Sequence, residues 1–67
     1  MPDLQINGKA QTVPHGSSVE NLIATLNLNG KRFAIELNGE IVPKSRHAET
    51  KLNQGDKLEV VIAVGGG

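Results

Sequence analysis

Cysteine is absent from this 67-residue chain, which excludes disulfides, thiolate catalysis and cysteine-ligated zinc. Tryptophan and tyrosine are absent too, and Phe33, the one aromatic, reads as core or edge packing. Net charge is lacking as well. Seven acidic and seven basic side chains cancel, which argues against a nucleic-acid surface, where a clear positive excess is normal. The longest apolar run, Val60 to Val64, is far too short to span a bilayer. Met1-Pro2-Asp3 lacks the basic region and apolar core of a signal peptide. A cytoplasmic protein is therefore expected, with no membrane partner.

Catalytic apparatus is equally sparse. No glycine-rich phosphate loop with its lysine and hydroxyl residue is present. His15 and His47 stand alone and read as surface residues that define no metal site, and the carboxylates show no paired acid/base spacing. At this size apolar burial and ordering entropy nearly cancel, leaving little room for a deep pocket. Chemistry should sit at a surface or an end.

What the chain does have is a distinctive final stretch, Leu58 to Gly67. Leu58, Val60, Ile62 and Val64 share one strand parity, and Lys57, Glu59, Val61 and Ala63 occupy the other. Three glycines follow without a turn, charge or cap. Glycine adds no packing area and loses most backbone entropy when fixed, so Gly65 to Gly67 read as a thin, mobile arm. Fully extended, they reach roughly 10 Å beyond the sheet.

Upstream, Asn7-Gly8 between Leu4-Gln5-Ile6 and Lys9 to Val13 predicts a tight hairpin. A two-residue turn sets Ile6 opposite Lys9, Leu4 opposite Gln11 and Pro2 opposite Val13; Gln11 then takes an inward parity, which leaves a longer turn or bulge as the alternative. Ser17 and Glu20 have capping-box spacing, and Val19, Leu22, Ile23 and Leu26 form a helical stripe. The expected helix is about 10 residues long, stopped by Asn27-Leu28-Asn29-Gly30. Phe33, Ile35 and Leu37 alternate into a second Asn-Gly pair, Asn38-Gly39, before Glu40-Ile41-Val42 and Pro43. Residues 44–50 are irregular with at most a 3₁₀ turn, Leu52 reads as a core plug, and Asn53 to Asp56 as a turn into the last strand.

The pattern implies an α+β architecture: one helix packed across one face of a mixed sheet of four to five strands. The last strand should be central and parallel to the first. The expected core is Leu4, Ile6, Val19, Leu22, Ile23, Leu26, Ile35, Leu37, Leu52, Leu58, Val60 and Ile62. Val61 and Ala63 fall on the open face, apolar where water should be, and are candidates for a partner surface. Residues 1–67 are expected to form one domain, with 65–67 a flexible tail.

Asn7-Gly8, Ser18-Val19, Leu37-Asn38-Gly39-Glu40-Ile41-Val42-Pro43, Gly55-Asp56 and Val64-Gly65-Gly66-Gly67 together resemble the ThiS family. These are the ubiquitin-like β-grasp sulfur carriers of thiamine biosynthesis. The resemblance covers essentially the whole chain; Gly66 and Gly67 match the usual glycine pair, and Gly65 is an additional one. It implies that the Gly67 carboxylate is adenylated by a ThiF-like enzyme using ATP, with no cofactor bound by the carrier itself. Sulfur from a cysteine desulfurase route then gives a thiocarboxylate, which a ThiG-like thiazole synthase consumes. Gly65 and Gly66 would thread the partner's active site. The small subunit of molybdopterin synthase, other sulfur carriers and ubiquitin-like conjugation modifiers resemble this pattern too.

Overall fold

The structure is a computed structural model and describes residues 1–28 and 30–63. Strands β1 (Asp3–Ile6), β2 (Lys9–Thr12), β3 (Phe33–Leu37), β4 (Glu40–Val42) and β5 (Lys57–Ile62) form a sheet of order β2-β1-β5-β3-β4. Helix α1 (Val19–Thr25) separates the two hairpins, and a 3₁₀ turn spans Lys44–Arg46. The central β5 is parallel to β1 and antiparallel to β3, as the apolar density of the last strand and the long crossover require.

Both hairpins close on asparagine and glycine in left-handed conformation, with φ of 51° and 83° at Asn7 and Gly8 and 52° and 88° at Asn38 and Gly39. These angles suit a tight turn whose twist matches the strands. Ile6 therefore faces Lys9, Leu4 faces Gln11, and Leu37 faces Glu40. The Val13 amide bonds the Pro2 carbonyl at 3.1 Å, which extends the first register outward.

Each turn asparagine also does something its turn role does not require. The Asn7 carboxamide accepts from the Val60 amide at 2.8 Å and donates to the Val60 carbonyl at 3.2 Å. Asn38 accepts from the Lys57 amide at 2.9 Å and donates to Asp56 at 3.1 Å. The two amides thus grip β5 from opposite sides, and Asn7 acts as one further residue of β1. Asn7→Gly keeps the backbone angle but removes both bonds to Val60. It should lower stability by about 1–2 kcal/mol in chemical denaturation; an unchanged midpoint would show the clamp to be inert.

The core is Leu4, Ile6, Val13, Val19, Leu22, Ile35, Leu52 and Leu58, with Ile23, Leu26, Phe33, Leu37 and Val60 half-buried against it. Ile62 departs from the expected core and is 41% exposed. The reason is the helix, which spans seven residues rather than about ten. Its last amide bond closes on Ile23 from Leu26, and Asn27 then turns left-handed at φ 55°. Along β5, burial falls from Leu58 through half-buried Val60 to exposed Ile62.

The cap is also shifted by one residue from the expected Ser17 and Glu20. Ser18 is the N-cap, and Asn21 completes the box: the Asn21 amide donates to Ser18 Oγ at 3.2 Å, and the Ser18 amide donates to Asn21 Oδ1 at 3.0 Å. Ser17 instead donates its hydroxyl to the Pro14 carbonyl at 2.7 Å. The register is chosen by the irregular segment, whose carbonyls meet the exposed helix amides. Thr50 accepts from Val19 at 2.9 Å and His47 accepts from Glu20 at 3.0 Å. Every amide of the first helical turn is then satisfied, and Leu52 is drawn into the core beside it.

His47, expected at the surface, is buried instead. Its ring stacks on Phe33, with centroids 6.3 Å apart, and Nε2 lies 3.1 Å from the Val42 carbonyl. A carbonyl only accepts, so Nε2 carries the proton. The side chain fastens the irregular segment to the edge hairpin. His15 is exposed, as its turn position implied.

Candidate functional site

Val61 and Ala63 lie where their parity placed them, exposed on the sheet face opposite α1, with Val61 54% exposed. The strand register adds neighbours that the sequence reading missed. Ala34 faces Val61, and Ile41, 68% exposed, faces Glu36. The signal for Ile41 was available, because a two-residue Asn38-Gly39 turn sets Ile41 opposite Glu36 and hence on the open face.

Ala34, Ile41, Val61 and Ala63 form an apolar margin beside two facing carboxylates, Glu36 and Glu59. Like charges directly opposite on neighbouring strands are destabilising. The open face thus sets apolar side chains beside like charges on neighbouring strands. Gly65, Gly66 and Gly67, with Val64 and Asn29, lie outside the described residues. The open face therefore carries the part of the expected site that the structure describes.

Among the described residues, conventional catalytic geometry does not emerge elsewhere. A groove of about 400 Å³ runs beside Phe33 and His47, with Lys31, Arg32 and Lys44 on its walls. No carboxylate or hydroxyl lines it, and the histidine is engaged through Nε2. Among the described residues no cluster of histidines and carboxylates is placed to hold a metal ion. No helix among them is long and apolar enough to cross a membrane.

A five-stranded mixed sheet of this order, grasping one helix, defines a ubiquitin-like β-grasp protein. Its distinctive surface lies on the open sheet face and along the strand that leads to the glycines, not in a cleft. The model of the ThiS family matches residues 4–67. The chain is 37% identical over 65 residues to the sulfur carrier protein ThiS of Bacillus subtilis, covering 96% of this chain and 98% of that one. The crystal structure of a thiamine biosynthesis protein (ThiS) from Geobacter metallireducens superposes with a TM-score of 0.81 at 31% identity, covering 97% and 99% of the two chains. A thiazole synthase of Paramagnetospirillum magneticum is 44% identical over 64 residues, 96% of this chain. The matched region is 20% of the length of that synthase. This chain belongs to the ThiS family, and its relatives include a sulfur carrier.

Proposed function

We propose that the chain carries sulfur for thiazole formation in thiamine biosynthesis, with the carboxylate of Gly67 as the loading point. The observation that carries this reading is the family match, which spans residues 4–67 and so takes in the glycines. A carboxylate is ionised at neutral pH and is a poor electrophile. A ThiF-like adenylating enzyme therefore joins it to the α-phosphorus of ATP, and pyrophosphate leaves. A persulfide charged by a cysteine desulfurase then attacks the acyl carbon and AMP departs, leaving an acyl disulfide; a second thiol attacks the outer sulfur, a new disulfide forms, and the thiocarboxylate is released.

The acceptor in this reading is a ThiG-like thiazole synthase. Support comes from the thiazole synthase of P. magneticum, one fifth of whose length matches this chain. The carrier contributes no acid, base or cofactor to these steps; ATP belongs to the adenylating partner. Gly65 and Gly66 supply a narrow stem that threads the partner's active site, and reacting atoms must come within about 3–3.5 Å there. Val61 and Ala63, with Ala34 and Ile41, supply the apolar surface that seats the partner.

The test is intact mass after incubation with the adenylating enzyme, ATP and the sulfur source. A gain equal to exchange of one oxygen for one sulfur is expected, and it must vanish when ATP is omitted. A ladder of heavy adducts instead would make the chain a conjugation modifier, and no gain at all would remove the carrier reading.

A further inference from the structure

Strand β5 runs past the strand beside it. Along β5 the backbone groups alternate sides. Lys57 faces β3 and accepts the Asn38 amide at 2.7 Å, and Ala63 on the same side donates to the Arg32 carbonyl at 2.8 Å. Asp56 and Leu58 face β1, accepting the Gln5 amide at 3.0 Å and the Asn7 amide at 2.9 Å. Val60 faces that side too, where the Asn7 carboxamide holds both of its groups. Ile62 is next in the alternation, but β1 has ended and the chain has turned back at Gly8. Ile62 lies opposite Phe33 at a non-hydrogen-bonded position of the β3 ladder, so its amide and carbonyl face away from β3, and among the described residues no hydrogen bond to them is seen on the β1 side. The bare groups coincide with the exposed Ile62 side chain and adjoin that of Val61.

We infer that this edge is the docking point for an extended segment of the partner that acts on Gly67, added in the plane of the sheet where β1 leaves off. The inference rests on the carrier reading above. An unpaired strand edge is a template for strand addition, and three considerations select this occupant. The glycines offer no side chain to hold, so a partner must grip the chain upstream or by its backbone. Ile62 ends the last strand, five positions before Gly67. Pairing there fixes the direction in which the following residues leave, and five residues reach at most about 18 Å. The edge also adjoins the apolar margin of the open face, so one partner surface can cover both. The partner segment supplies a carbonyl to the Ile62 amide and an amide to the Ile62 carbonyl. An aliphatic side chain on it covers Ile62.

Ile62→Pro tests this directly. Proline removes the amide and suits an edge whose N–H is unpaired, and it holds the preceding residue extended, as Val61 already is. The variant should keep the wild-type denaturation midpoint while binding the ThiF-like adenylating enzyme about tenfold or more weakly. Ile62→Ala keeps the amide and should bind more tightly than the proline variant. Val61→Pro removes an amide facing β3 and should destabilise the fold, which confirms the alternation. Amide hydrogen exchange supplies a readout without substitution: Ile62 should exchange fast in the free protein and slowly in the complex. Equal binding by Ile62→Pro, or no protection of Ile62 on complex formation, overturns the edge inference. Concentration-dependent dimerisation that Ile62→Pro abolishes would also overturn it, assigning the edge to a second copy of this chain. Failure of the wild-type protein to be adenylated at all would instead defeat the carrier reading, so the two failures are distinguishable.

Discussion

Removal of Gly66 and Gly67 is expected to abolish sulfur loading while leaving the denaturation midpoint of the fold unchanged. The truncated chain still ends in a glycine carboxylate, so the chemistry of the group is preserved and only its position is lost. Two residues correspond to about 7 Å of extended chain, and a displacement of about 1 Å at a reacting centre already costs about 10²-fold in rate. The core side chains all lie between Leu4 and Leu58, and a glycine has no side chain to contribute to them. Single-turnover adenylation, read by intact mass, measures the first effect, and thermal denaturation by circular dichroism measures the second. Gly67→Ala should act in the same direction but less severely, slowing adenylation by crowding the acyl carbon. Thiazole formation supported by the truncated chain, in cells lacking the intact gene, would end the proposal that Gly67 is the loading point.

Leu58→Ala is expected to have the largest effect on stability, a loss of about 3–5 kcal/mol. Leu58 is 1% exposed at the centre of the sheet, paired with Ile6 on one side and Leu37 on the other. It belongs to the same buried cluster as Val19 and Leu22, themselves 0% and 1% exposed. A chain of this size has a total stability of about 3–10 kcal/mol, so the substitution removes a large part of it and leaves much of the population unfolded at 37 °C. Urea denaturation should show a lower midpoint with an unchanged slope. Ile62→Ala, four residues on with the same parity, should cost less than about 1 kcal/mol because Ile62 lies outside the packed core. Equal losses at the two positions would mean that the helix covers more of β5 than its seven residues allow.

That contrast marks where local information stopped. Leu58 and Ile62 are indistinguishable by parity and hydrophobicity; what separates them is the length of the helix overhead. Helix length was decided by Leu26 closing the last turn and Asn27 turning left-handed, whereas the pattern also allowed Asn29 or Gly30 as the stop. The choice between Ser17 and Ser18 as cap was likewise made elsewhere, by the carbonyls of His47 and Thr50 meeting the helix amides. His47 itself, isolated in the sequence, found Phe33 and the Val42 carbonyl only when the irregular segment folded back over the edge hairpin.

From the sequence by itself came the turns, the helical stripe and the strand parity. Asn7-Gly8 and Asn38-Gly39 pointed to both hairpin registers, because a two-residue left-handed turn admits one pairing, while Gln11 at an inward parity left a longer first turn open until the strands were set side by side. The Val19-Leu22-Ile23-Leu26 stripe determined the buried face of the helix, and strand parity put Val61 and Ala63 outside. Tertiary structure alone decided which asparagine amides would brace β5, with Asn7 reaching Val60 across 53 positions of sequence. It alone decided that β5 would outrun β1 and leave the Ile62 amide and carbonyl bare among the described residues. Turns and periodicity are written in short-range sterics, whereas a clamp or an unpaired edge exists only once distant strands have been set side by side.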